Sequence, residues 1–95
     1  MPKLTKLTPE ELEVACAELK SWTIVNGKLR KMFIFNDFIQ AWGFMTRVAM
    51  IAEKMDHHPE WCNSYGSVKV DLMTHDVAGI SSLDIRLAQK MDALI

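Results

Sequence analysis

A helical pattern running from Asn36 or Asp37 as cap to about Met55 constrains this chain more than any other feature. At 100° per residue, Phe38, Ala41, Trp42, Phe44, Met45, Val48, Ala49, Ile51, Ala52 and Met55 cover about half of the circumference. Gln40, Arg47 and Lys54 mark the wet side. A helix that packs on one sheet needs an apolar stripe of only about 100°. The excess width implies a second buried contact, either another subunit or loops folding over the helix. In a chain of 95 residues the expectation is another subunit.

Shorter elements flank this helix. Thr8-Pro9-Glu10-Glu11 opens one of them: Thr8 caps, Pro9 suits the first helical position and Glu11 completes a capping box. Leu12, Ala15, Cys16 and Leu19 then share one face, so a helix is expected from about Pro9 to Lys20. Trp22–Val25 and Leu29–Phe35 are rich in aromatic and β-branched residues around Asn26-Gly27-Lys28, a strong hairpin signal. In the second run Leu29, Lys31, Phe33 and Phe35 face one way and Arg30, Met32 and Ile34 the other. Pro59 ends the long helix. Trp61–Tyr65 and Ser67–Thr74 read as two more strands around Gly66, and Ser81 with Asp84 forms a second capping box before the apolar face of Leu83, Leu87, Met91 and Leu94. The order αββαββα predicts an α+β single domain over 1–95, a four-stranded antiparallel sheet with three helices on one face.

Composition narrows the partners. Eleven Lys+Arg against twelve Asp+Glu leave a formal charge of −1, so no basic surplus suits nucleic acid or an anionic membrane. No apolar run approaches the roughly 18 residues that span a bilayer. The first residues carry nothing that reads as a signal peptide. Cys16 and Cys62 have no CxxC spacing and suggest no disulfide scaffold. A cytoplasmic protein is expected.

All three histidines fall at element boundaries. His57 and His58 stand where the long helix stops and His75 where the last strand stops, flanked by Asp56, Glu60 and Asp76. Imidazole exchanges protons near neutrality, and two loop ends meeting at one sheet edge would gather three such groups for acid–base catalysis. Surface caps and charge partners are the plain alternative. A zinc site is a weaker rival: His57 and His58 are adjacent rather than three or four residues apart, and neither cysteine completes a ligand set. Trp42 belongs to core or interface. Trp61 either walls a pocket or joins the core.

Glu53-x-x-x-His57-His58-Pro59, followed by Tyr65, His75 and Asp84, resembles the signature of the pterin-4a-carbinolamine dehydratases. The stretches Phe44–Ala49, His57–Trp61 and Thr74–Asp76 leading to Gly79 agree, and the similarity runs from about Trp22 to Asp92. Departures are mild: Ser21 stands where glycine is common, Cys62 where larger residues occur, and Ile80 where leucine is usual.

The resemblance implies dehydration of 4a-hydroxytetrahydrobiopterin to the quinonoid dihydropterin, recycling the cofactor of aromatic amino-acid hydroxylases without metal or organic cofactor. It implies His57, His58 and His75 as the catalytic trio, with His57 and His75 moving protons and His58 holding the pterin. Asp56, Met73 through its backbone, Thr74 and Asp76 would line the pterin site. Glu53 would orient an imidazole or merely pair in solvent, and Trp22 would stack on the ring. Asp84 is read as the partner of Ser81 in the capping box. The resemblance also implies a homo-oligomer, dimer or tetramer, through Phe44, Met45, Val48, Ile51 and Ala52 of the long helix. Some members of the family act as dimerisation cofactors of a homeodomain transcription factor, a partner role that would add a nuclear location.

Overall fold

Local signals place the element ends. The structure, a computed structural model, describes residues 4–95. Residues 1–3, where the reading for a signal peptide begins, lie outside the described residues. Helix α1 spans Pro9–Glu18; Thr8 Oγ1 accepts from the Glu11 amide at 3.2 Å while Glu11 Oε1 accepts from the Thr8 amide at 2.9 Å. The helix stops two residues before the expected Lys20, because Leu19 turns to extended backbone. Strands β1 (Thr23–Val25) and β2 (Lys28–Ile34) join through Asn26 and Gly27, both at positive φ (52° and 77°). That pair of angles is what a tight hairpin of right-twisted strands requires.

The long helix α2 is Phe38–Met55, capped by Asp37, whose side chain accepts from the Gln40 amide. Strands β3 (Glu60–Ser64) and β4 (Ser67–Leu72) follow, then a single 3-10 turn at His75–Val77 and helix α3, Ser82–Asp92. The sheet order is β1-β2-β4-β3 and every pairing is antiparallel. Gly66, in the β3–β4 turn, sits where a Cβ would lie 2.5 Å from the Phe35 carbonyl oxygen, so the turn closes only with glycine. The class is α+β, in the order expected.

Strand alternation decides which face the helices cover. Leu29 and Phe33 of β2 and Val68, Val70 and Leu72 of β4 point inward, against Ala41, Phe44, Val48 and Ala52 of α2 and Leu87, Ala88 and Met91 of α3. Trp22, Phe33 and Phe44 form an aromatic chain through this core, with ring centroids 5.8 and 4.7 Å apart. Lys31 shares the inner face by placing its ammonium 2.7 Å from Asp92 Oδ1 and 4.6 Å from the Phe33 ring. On the outer face Arg30 and Asp71 sit directly opposite each other and pair through two contacts of 2.7 and 3.0 Å.

The wide apolar arc of α2 resolves into two stripes, and this corrects the expected interface. Phe44, Val48 and Ala52 are buried within the chain's own core, at 0–1% exposure, and offer nothing to a partner. Met45 and Ile51 are half-buried against the same core. The exposed apolar stripe lies beside it and consists of Phe38, Ile39, Trp42 and Met50. Phe38 and Trp42 stack on each other in solvent, with centroids 5.9 Å apart.

Candidate active site

Two chain segments build the site, and each is shaped by a local backbone reversal. Helix α2 ends as Asp56 adopts a left-handed conformation (φ 52°, ψ 42°), which a short polar residue tolerates. The Asp56 and His57 amides bond back to carbonyls of Glu53 and Ala52 at 3.1 and 3.0 Å. This reversal points His57 into the protein and leaves His58 outside. Pro59 then feeds the chain into β3. The second segment leaves β4 through Met73. Thr74 pairs with Gly79 as an isolated bridge, which pinches the loop so that His75 and Asp76 bulge outward on the 3-10 turn.

Between these segments lies an open groove of about 420 Å³. Asp56, His57, His58, Met73, Thr74, His75 and Asp76 all line it. It is large enough for a bicyclic small molecule. Leu4, Pro59, Glu60 and Leu83 complete its walls. Glu60 enters the sequence pattern only as a flanking charge, and Leu4 carries no sequence signal because its place depends on the N-terminal segment crossing α3's start, where the Leu7 amide meets the Ile80 carbonyl at 2.8 Å. A second hollow of about 520 Å³ lies between α1 and α3, lined by carbon with Glu10, Glu11, Glu18 and Arg86. Its lining contains no histidine.

The two adjacent histidines have opposite surroundings. His57 is 8% exposed, and its Nε2 lies 2.6 Å from Oδ1 of the fully buried Asp84. The other oxygen of Asp84 accepts from the Thr74 hydroxyl at 2.8 Å and from the Ser81 amide at 2.9 Å. Asp84 therefore fills the capping-box role and also binds His57, a second contact the sequence reading missed. The available signal was the position of Asp84 as the last member of the signature pattern. His58 instead pairs its Nε2 with Glu53 Oε1 at 2.7 Å, and both side chains stand in solvent. Glu53 thus orients His58, not the histidine one turn after it. It does not line the groove.

Trp22 is not brought to the groove. It is 4% exposed in the core, and its Nε1 donates to Asp92 at 3.0–3.1 Å. Trp61 packs on the inner sheet side against the core cluster. Among the described residues no group of three or more histidine, cysteine or acidic side chains is placed to hold a metal ion.

The comparisons with known proteins fall on this same frame. A family model described as Pterin 4 alpha carbinolamine dehydratase matches residues 5–94. The chain belongs to this family. Relatives named as candidate pterin-4-alpha-carbinolamine dehydratases include one from Solibacter usitatus, 52% identical over 90 residues that cover 95% of both chains. Another, from Bradyrhizobium diazoefficiens, is 50% identical over 91 residues, covering 94% of this chain and 91% of the relative. A crystal structure described as a transcriptional coactivator/pterin dehydratase from Brucella melitensis superposes with a TM-score of 0.91 at 45% identity, covering 94% of this chain and 97% of that one. As a member of the pterin-4-alpha-carbinolamine dehydratase family, the chain carries all three histidines of the resemblance, and all three line one groove. No helix among the described residues is long and apolar enough to cross a membrane.

Proposed function

We propose that this protein dehydrates a 4a-hydroxytetrahydropterin in the groove between the end of α2 and the β4–α3 loop. The observation that carries the reading is that His57, His58 and His75 line one groove, with His57 backed by a buried carboxylate. In the reaction the C4a–O bond breaks, the oxygen leaves as water after gaining a proton, and N5 loses its proton as its electron pair forms the C4a=N5 double bond. Only protons move, so the step needs an acid near the hydroxyl and a base near N5, and no electron carrier. His57 and His75 supply these groups; His58 holds the ring from the outer wall. Asp56, Asp76 and the Met73 backbone match the N–H and C=O groups along a pterin edge. The Thr74 hydroxyl is spent on Asp84, so Thr74 serves the site from behind it. The product feeds reductive recycling of the pterin cofactor used by aromatic hydroxylases.

The test is the dehydration rate of enzymatically generated 4a-hydroxytetrahydropterin with and without the protein. Acceleration is expected, with His57→Ala and His75→Ala each lowering turnover roughly 10²-fold or more. A folded protein that does not accelerate the step overturns the reading.

A second reading concerns assembly. Phe38, Ile39, Trp42 and Met50 leave an apolar stripe of α2 in water, 49–80% exposed, which favours association of copies of this chain through that helix. The Brucella melitensis protein is described as a coactivator as well as a dehydratase. A transcription-factor partner on the same stripe is the corresponding proposal here, tested by whether a partner captured from nuclear extract competes with self-association.

A further inference from the structure

Behind His57 runs a buried chain of hydrogen bonds whose direction is set by its own donors. The Thr74 hydroxyl has one proton, and it goes to Asp84 Oδ2 at 2.8 Å. Ser81 Oγ, 2.6 Å from Thr74 Oγ1, must then be the donor of that pair, and it accepts in turn from the Leu83 amide at 3.2 Å. With the Ser81 amide also on Oδ2, that oxygen is fully engaged as an acceptor. Oδ1 is left for His57 Nε2 alone. A carboxylate whose Oδ2 takes two donors acts as an acceptor, so the hydrogen of the Oδ1 bond is carried by the imidazole Nε2. The opposite ring nitrogen, Nδ1, has no protein partner among the described residues, and no buried side-chain nitrogen or oxygen among them lacks a partner. Nδ1 is therefore the ring atom that reaches the groove.

We propose that Asp84, held in place by Thr74 and Ser81, is a positioning residue that fixes His57 as the Nε2–H tautomer and makes Nδ1 the nitrogen that exchanges protons with the substrate. The catalytic half of this inference rests on the dehydratase reading; the tautomer half does not. A histidine carries its proton on the nitrogen whose partner demands a donor, and an ionised carboxylate makes that demand from either oxygen. Here the Thr74 hydroxyl and the Ser81 amide hold that carboxylate in place through Oδ2, and the Ser81 hydroxyl braces Thr74. None of these touches the groove's other charged or titratable groups, which are Asp56, His58, Glu60, His75 and Asp76.

Two-bond nitrogen–proton correlation spectra of the free protein, labelled with ¹⁵N-histidine and held at mildly alkaline pH, test it. His57 is expected to show protonated Nε2 and bare Nδ1 in the parent protein. Asp84→Asn, whose oxygen must face Thr74 and the Ser81 amide, should turn its NH2 toward Nε2 and give protonated Nδ1, whereas Thr74→Val, which leaves the carboxylate, should keep the parent signature. In turnover, Asp84→Asn should lower kcat roughly 10²-fold or more with little change in KM, as for a general base that loses its preferred tautomer. An Nδ1–H signature in the parent protein overturns the proposal without any pterin present, and so separately from the dehydratase reading. An unchanged tautomer in folded Asp84→Asn removes the positioning role.

Discussion

Glu53 Oε1 and His58 Nε2 stand 2.7 Å apart on the protein surface, with side-chain exposures of 81% and 56%. An exposed pair of this kind contributes about 0–1 kcal/mol. Glu53→Gln should accordingly leave the melting temperature nearly unchanged and lower dehydration at most a few-fold, through a looser His58. Loss of turnover comparable to that of His57→Ala would show that Glu53 acts on the chemistry directly.

Asp84 is the contrasting case, because its contacts are buried and directional. In Asp84→Asn the oxygen must face Thr74 and the Ser81 amide, both donors, which turns the amide NH2 toward His57 Nε2. His57 can then only accept at Nε2 and must carry its proton on Nδ1. The expected results are turnover reduced by at least about 10²-fold and stability lowered by about 1–3 kcal/mol, the range for a charge-assisted bond made neutral. Steady-state kinetics and thermal unfolding check these together. Near-parent turnover in folded Asp84→Asn would rule out a role for the carboxylate.

Much of this architecture was legible because its signals are local. Both capping boxes, the Asn26-Gly27 turn and the break before Pro59 are decided within four or five residues, and each lies where the sequence puts it. The groove was legible in the same way, since seven of its lining residues lie on two short segments, Asp56–His58 and Met73–Asp76. What escaped depends on packing. Periodicity gives α2 a broad apolar arc but not the side that meets the sheet, so it does not reveal that Phe44, Val48 and Ala52, which the resemblance offers to a partner, fill the chain's own core. Trp22 is drawn inward by Asp92, seventy residues away in sequence. Asp84 looked fully explained by its cap because a carboxylate has two oxygens and only one was accounted for.

The outer sheet face carries an acid-sensitive pair. Arg30 forks onto Asp71, and this hydrogen bonding holds the Asp71 carboxyl below its usual range while raising the guanidinium. A depressed folded-state value means that the stabilisation is complete above the ordinary carboxylate range near pH 4 and is lost as pH falls through the lower folded value. Urea unfolding of the parent and Asp71→Asn should therefore differ most at neutral pH and converge as pH falls well below the ordinary carboxylate range. A difference that persists unchanged into strong acid would mean that Asp71 contributes by packing alone.

The two stripes of α2 make distinct demands on substitution. Phe44→Asp would bury an unpaired carboxylate in the core, a cost of several kcal/mol, and should unfold the protein rather than separate subunits. Ile39 is 80% exposed in the first turn of α2, where an acidic side chain is favourable to the helix. Ile39→Asp should keep the parent melting behaviour of the isolated chain while disrupting any contact made by the exposed stripe. Sedimentation velocity is expected to show smaller species for Ile39→Asp than for the parent. Identical profiles, with the parent above monomer mass, would place the assembly contact elsewhere, the outer sheet face with Met32 and Ile34 being the next apolar surface in water.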